Sequence, residues 1–446
     1  MYQRKIEKQL IKWADSSYRK PLILRGARQV GKTTSIRHFA KNFDAYIELN
    51  LDIAEEKAIF DTNTSFDELI QTIFFIKQQP DKKGQKTLIF IDEIQNSPQA
   101  VKQLRYFYER RPDLYVIAAG SLLETLIDKT ISFPVGRVQY FYMYPFSFEE
   151  FLWTFDNPDY TKSLHKIPFP EFAHETFIKL FSKYTLIGGM PEVISLYRQT
   201  NDMVQLNNAY NALITAYLDD VEKYAKTKKE TAIIRFIIEK SFFEAGKRIK
   251  FTNFGNSSYR SQVVKEALNL LEKSLILRLV YPTTKVIPPI EANFRKSPKL
   301  FLLDTGLMNY FAGYQKELFI SNNIANVFDG LIAEHIVAQE LQAYRQNNLH
   351  KQHFWTREKK QSTAEVDFVY PFENLLIPIE VKTGKSGRLR SLHQFIDMAP
   401  HHFAVRIYSG KFSIDKTKTL QGKAFFLLNL PFYLISKLDD YLKLMI

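Results

Sequence analysis

The chain contains no cysteine, which excludes disulfides and cysteine-based zinc sites. It has no run of about 18 apolar residues, so no membrane-spanning helix is expected. Its opening stretch, MYQRKIEKQLIKWADSSYRK, is charged throughout and lacks the apolar centre of a signal peptide. No internal repeat and no long low-complexity segment is present. Acidic residues are the minority charge, 48 against 61 basic ones, for a net charge of +13. These absences fit a cytoplasmic protein without a membrane partner. The positive balance suits a nucleic-acid partner or an anionic surface and establishes neither. Apolar residues are plentiful, 45% of 446, which is enough for the cores of three or four domains.

The most informative stretch is Leu22 to Thr34, LILRGARQVGKTT. It reads as a short buried strand, a tight loop and the start of a helix. Gly26, Gly31, Lys32 and Thr33 fit G-x-x-x-x-G-K-[ST], the phosphate-binding P-loop. Backbone N–H groups from Gly26 through Ala27, Arg28, Gln29, Val30 and Gly31 to Thr34 would cradle the phosphates of ATP. Lys32 would reach the β- and γ-phosphates, and the Thr33 hydroxyl would ligate Mg²⁺.

The surrounding pattern extends this to a P-loop αβα sandwich over residues 1–150. Ile6, Leu10 and Trp13 give the first helix one apolar face. A strand over Ala45–Asn50 and a helix over Phe66–Lys77 follow. The strand Thr87–Glu93 is apolar until it ends in Asp92 and Glu93, the polar tip of a buried parallel strand. Asp92 would hold Mg²⁺, and Glu93 would activate the attacking water as general base. The same residues would also suit a core strand followed by a solvated acidic turn. A helix over Pro98–Arg110 leads to a strand over Leu114–Ser121. Ser121 would sense the γ-phosphate or cap the next helix.

Residues 151–230 turn helical, a lid over the nucleotide that ends near the charge run Lys226–Glu230. Residues 231–320 read as a winged-helix module. Its elements are a helix over Ile233–Ala245, a second helix capped by Ser257 and Ser258, and a wing from Leu275 through Lys285. Tyr259, Arg260 and Gln262 would stand near the start of a DNA-recognition helix. A protein-binding or structural module is the alternative.

Residues 321–446 hold a second constellation. A helix over Asp329–Tyr344 carries Glu334 and Glu340. Asp367 lies on one strand, and Glu380-x-Lys382 lies on the next, the pattern of PD-(D/E)xK nucleases. Glu380 and Lys382 share a strand face. Asp367 and Glu380 would bind a second Mg²⁺, with Glu334 a third ligand and Lys382 positioning or deprotonating water. The alternative is a degenerate domain in which Lys382 pairs with the carboxylates. The tract Lys382–Arg390 would follow a phosphate backbone or form a solvated loop.

GARQVGKT, TLIFIDEIQ, the AAGS tip, PVGRV, YPFSFEEF and GGMPEVI together make the chain resemble prokaryotic AAA-type ATPases of the archaeal-ATPase-like group. These carry a C-terminal restriction-endonuclease-like domain of uncharacterised role. The resemblance implies ATP binding and hydrolysis. It implies that Arg137 is a sensor, or a finger acting on a neighbouring subunit's ATP in a homo-oligomer; a surface or structural arginine is the plain alternative. It implies that the Gly188–Pro191 turn brings Pro191 near the nucleotide base, although a helix-linking turn would use the same residues. The function expected is a Mg²⁺-dependent ATPase coupled to DNA handling. The alternative is a nucleotide-gated switch that docks an unidentified protein partner on an inactive nuclease-like domain.

Overall fold

The computed structural model describes residues 2–62, 65–120, 134, 136–220, 225, 227–313, 330–345, 351–358, 364–384 and 389–446. It divides into two units: Met1–Tyr144 with Lys273–Ile276, and Pro145–Glu272 with Leu277–Ile446.

The first unit is built on five strands: β1 (Leu22–Arg25), β2 (Ala45–Asn50), β3 (Thr87–Asp92), β4 (Tyr115–Gly120) and β5 (Gln139–Tyr142). Their order is β2-β3-β4-β1-β5, and every neighbouring pair is parallel. Near-continuous apolar runs in β1, β3 and β4 match strands covered on both faces. Ile47, Leu49, Ile89 and Ile91 pack with Leu69 and Ile73 of the helix Phe66–Ile76, and with Leu104 and Phe107 of the helix Pro98–Arg110. The first helix, Lys5–Ala14, buries Ile6, Leu10 and Trp13. Because all strands run the same way, the ends of β1, β3 and β4 share one edge. The P-loop, Asp92 and Gly120 therefore open on the same side. Strand β5 was not foreseen. Its four residues are half-buried or exposed at the sheet edge, so they lack the apolar run that marks the other strands.

The second unit begins with helices Phe148–Trp153, Pro158–His165, His174–Ile187, Pro191–Thr200 and Leu206–Asp220. A helix Lys228–Glu244, a short 3-10 turn Phe254–Asn256 and a helix Ser261–Lys273 follow, and then a two-stranded ribbon of β6 (Leu277–Val280) and β8 (Lys299–Leu302). Two expectations are corrected here. The helix starts at Ser261, because Ser257 closes the preceding 3-10 turn and does not cap the helix. The stretch expected to form the wing divides: Leu277–Val280 pairs with β8, whereas Pro282–Thr283, strand β7, pairs in parallel with β9 (His353–Thr356) in another sheet.

That sheet has seven strands in the order β13-β14-β12-β11-β10-β9-β7. A helix Gly330–Arg345 precedes an antiparallel meander of β9, β10 (Glu365–Phe372) and β11 (Leu375–Lys382). The helix Arg390–Met398 then crosses over to β12 (Phe403–Tyr408), parallel to β11. Strands β13 (Ser413–Lys418) and β14 (Ala424–Pro431) complete it. Trp355, Val366, Leu392, Phe395 and Phe425 form its core.

Asp304, the YPFSFEEF stretch and Glu340 meet inside this unit. Asp304 caps the helix Thr305–Phe311, accepting hydrogen bonds from the N–H groups of Gly306 (3.0 Å) and Leu307 (3.2 Å). It also accepts from Gly189 N–H and from Gln339 Nε2. Burial pushes its carboxyl up to about 6 while the N–H donors pull it back. Ser147 and Glu150, in YPFSFEEF, form a capping box, and Glu340 accepts from the Phe148 N–H at 3.0 Å. The hydroxyl of Tyr184 lies 2.7 Å from Glu340. Glu340 is thus a buried structural group.

Candidate functional site

The loop after β1 takes its shape from a few backbone requirements. Gly31 begins the helix Lys32–Phe39 at φ +95°, a region that favours glycine. A Cβ on Gly26 would lie 2.5 Å from the carbonyl oxygen of Met143, so only glycine lets the loop pass beneath the end of β5. Gln29 holds φ +62° without being glycine. The Lys32 ammonium is buried under the loop and donates to the carbonyls of Gly26 (3.0 Å) and Ala27 (2.9 Å). It therefore sits inside the ring of backbone N–H groups that would receive the phosphates.

Thr33 Oγ1 donates to Asp92 Oδ2 at 2.6 Å. Hydroxyl and carboxylate come from different elements and converge on one point, a donor pair suited to Mg²⁺ beside a phosphate. Glu93 is the next residue. It stands at φ +52°, its N–H donates to Asp92 Oδ1 at 3.0 Å, and Gln95 Nε2 donates to its carboxylate. A positive φ in a non-glycine residue stores strain, about 1–3 kcal/mol, and such strain concentrates at functional sites. Gln95 is a residue the sequence reading passed over. The bare backbone of Gly120 makes room for it, since a Cβ there would lie 2.2 Å from Gln95 Oε1.

Arg4 is a second residue that was missed. Its buried guanidinium donates to the carbonyl of Val30 in the P-loop (2.9 Å) and to that of Tyr144 (2.8 Å). The first helix thereby clamps the loop from behind. Replacing Arg4 with methionine should weaken ATP binding about tenfold, the scale of a charge-assisted hydrogen bond. Titration of a fluorescent ATP analogue checks this; unchanged affinity would show that the clamp does not position the loop.

Arg137 lies just before β5, at the sheet edge opposite the P-loop, and its Nε meets Glu109 Oε1 at 3.3 Å. The four residues of β5 place it roughly 13 Å or more from the loop of its own chain. A sensor role within one chain does not fit this placement, and the ion pair with Glu109 is what a surface or structural arginine would make. Ser121 lies outside the described residues, and β4 leads to it at Gly120, beside Arg25. Pro191 opens the helix Pro191–Thr200 in the second unit. The glycines before it answer to packing there. A Cβ on Gly188 would lie 2.1 Å from Asp304 Oδ1, and one on Gly189 2.3 Å from Phe146 O.

The second constellation also assembles, with an unexpected member. One register step beyond the pair Phe368 and Ile379, Asp367 faces Glu380 across β10 and β11. Asp367 Oδ2 accepts the Val381 N–H at 2.8 Å, and Lys382 Nζ lies 2.7 Å from Glu380 Oε1. Lys299, from β8, brings its ammonium into the group. It lies 2.7 Å from Glu334 Oε2, 2.7 Å from Glu365 Oε1 and 3.7 Å from Asp367 Oδ1. Burial, then the Asp367 carboxylate, pushes Glu380 up to about 7 and Glu334 up to about 8. Burial lowers the Lys382 ammonium, but Glu380 and its neighbours outweigh that, and the net shift is upward. Lys382 is thus held as an ammonium ion, poorly disposed to take a proton from water. Among the described residues no group of three His, Asp or Glu side chains is placed to hold a metal ion. The expected second Mg²⁺ site at Asp367 and Glu380 does not fit this arrangement.

Residues 18–152 match the family described as an AAA domain. Residues 178–318 and 329–432 match two domains of unknown function (DUF8612 and DUF4143). No curated protein matches the chain. Among solved structures, the Walker-type ATPase PABY2304 of Pyrococcus abyssi is 14% identical, with 70% of this chain and 96% of that one covered and a TM-score of 0.44. The ORC1 protein of Aeropyrum pernix, in complex with DNA, is 12% identical over 72% of this chain and 94% of its own, with a TM-score of 0.29. A signal-transduction ATPase with numerous domains and a tetratricopeptide repeat sensor, PH0952 from Pyrococcus horikoshii, is 12% identical over 77% of this chain and 48% of its own, with a TM-score of 0.26. Residues 18–152 thus form an AAA-type P-loop ATPase domain. No helix of the described residues is long and apolar enough to cross a membrane.

Proposed function

We propose that the chain is a Mg²⁺-dependent ATPase whose turnover in residues 18–152 is coupled to DNA handling by the second unit. The observation that carries the ATPase reading is the 2.6 Å contact between Thr33 and Asp92 at the mouth of a P-loop already threaded by Lys32. Thr33 and Asp92 would hold Mg²⁺, which supplies charge neutralisation at the β- and γ-phosphates. Lys32 and the loop N–H groups orient the triphosphate. Glu93, aimed by Gln95, accepts a proton from the attacking water. Arg137 would serve the ATP of a neighbouring copy, which makes the working form a homo-oligomer.

The DNA reading draws on the helix–turn–helix–ribbon order and on exposed Arg260, Gln262 and Lys265 at the start of the helix Ser261–Lys273. A second reading has a specific observation behind it: Lys299 among the carboxylates favours a nuclease-like domain that docks a partner and does not cut.

The test measures ATP hydrolysis and DNA binding on the full chain. Lys32→Ala should lower hydrolysis about 100- to 1,000-fold. Equal rates in both proteins would remove the ATPase reading. DNA affinity should fall with salt, and Arg260→Glu with Lys265→Glu should weaken it. No salt-dependent binding would favour the docking reading.

A further inference from the structure

A cluster with this pattern of carboxylates would ordinarily be read as a divalent-cation site. The residues do not fit that reading, because Lys299 stands among the carboxylates while Arg248 and Lys382 engage Glu365 and Glu380. Lys299 is 3% exposed, and its ammonium stands between Glu334 and Glu365 at 2.7 Å from each, with Asp367 at 3.7 Å. The remaining oxygens are committed or idle. Asp367 Oδ2 holds the Val381 N–H, Glu380 Oε1 holds Lys382, and Glu380 Oε2 is buried without a partner in a side chain 8% exposed. The lysine is delivered by a strand pinned on both edges. Leu300 pairs with Leu279 of β6, its N–H donates to the Lys247 carbonyl, and its own carbonyl accepts from Gly246 N–H. The strand thus holds the Lys299 backbone in place beside the carboxylates.

We propose that the Lys299 ammonium stands in for the divalent cation of this cluster, so that the native chain takes no metal there and a chain without that ammonium does. Removing it leaves the three carboxylates that face it, Glu334, Glu365 and Asp367, to be drawn together by another cation, with Glu380 opposite Asp367 on the neighbouring strand. Hard oxygen ligands of that number and charge suit Mg²⁺ or Mn²⁺. Closing on such an ion asks the Glu334 and Glu365 oxygens to move inward by roughly half an ångström and the Asp367 oxygen by roughly 1.5 Å, from their ammonium distances to metal–oxygen distance. The inference deepens the docking reading of the second unit, but its readout is metal binding. Failure to dock a partner would leave it untouched, and metal binding by the native chain would sink it whether or not a partner docks.

The experiment is Mn²⁺ titration of the full nucleotide-free chain, followed by electron paramagnetic resonance, with Asp92→Asn present throughout to silence the ATP site. Without further change the protein should bind no Mn²⁺ at the cluster. Adding Lys299→Met should create about one site, at least roughly tenfold tighter than any binding before. Adding both Glu334→Gln and Asp367→Asn to that protein should abolish it, and Lys299→Arg should bind nothing. If Lys299→Met does not fold because the carboxylates repel, Lys299→Met with Glu365→Gln restores the charge balance, keeps three ligands and is titrated in its place. A folded Lys299→Met protein without Mn²⁺ uptake would overturn the proposal. So would stoichiometric binding by the native cluster that Asp367→Asn removes.

Discussion

Replacing Glu93 with glutamine should lower ATP hydrolysis by about 100- to 10,000-fold, the usual worth of a positioned general base. ATP should stay bound, because Lys32, the loop N–H groups and the Thr33–Asp92 pair are untouched. The amide keeps the size of the side chain and can still meet Gln95, so the strained φ of +52° should persist. The check is single-turnover hydrolysis alongside equilibrium binding of ATP. A loss of binding equal to the loss of rate would mean that Glu93 shapes the site and does not take the proton. Unchanged hydrolysis would return Glu93 to a solvated acidic turn.

Gly188→Ala should destabilise the second unit by about 4 kcal/mol, combining backbone strain with overpacking. Gly188 adopts φ +75° and ψ −169°, a region that residues with a Cβ almost never enter. The added Cβ would also lie 2.1 Å from Asp304 Oδ1 and 2.6 Å from Gly306 N. It would thus break the hub that ties the loop before Pro191 to the helix Thr305–Phe311 and to Gln339. Urea unfolding of the full chain, with ATP affinity measured in parallel, checks this. A stable protein that has lost ATP affinity would mean that the Gly188–Pro191 turn serves the nucleotide and not the packing of the second unit.

These cases show where the sequence was readable. The P-loop needs glycine at fixed places because its own backbone must turn and pass close to Met143, and Asp92 and Glu93 follow an unmistakable buried strand. Such demands are local, so they leave a pattern in consecutive residues. The Asp367, Glu380 and Lys382 spacing was legible for the same reason: alternation along two neighbouring strands sets their faces. Lys299 left no such trace. In its own stretch it is one lysine at the start of an apolar strand, and only the docking of β8 beside β10 and the helix Gly330–Arg345 gives its charge a destination. Arg4 is alike: its partners are carbonyl oxygens, which every residue possesses.

The sequence by itself determined that this chain carries a P-loop with its acidic-tipped strand, because backbone geometry and strand burial are written residue by residue. Only the tertiary structure decided which cation answers the second set of carboxylates and what a Cβ on the glycines before Pro191 would strike. Both depend on side chains far apart in the chain, and a charge or a missing Cβ has meaning only once its neighbour is in place.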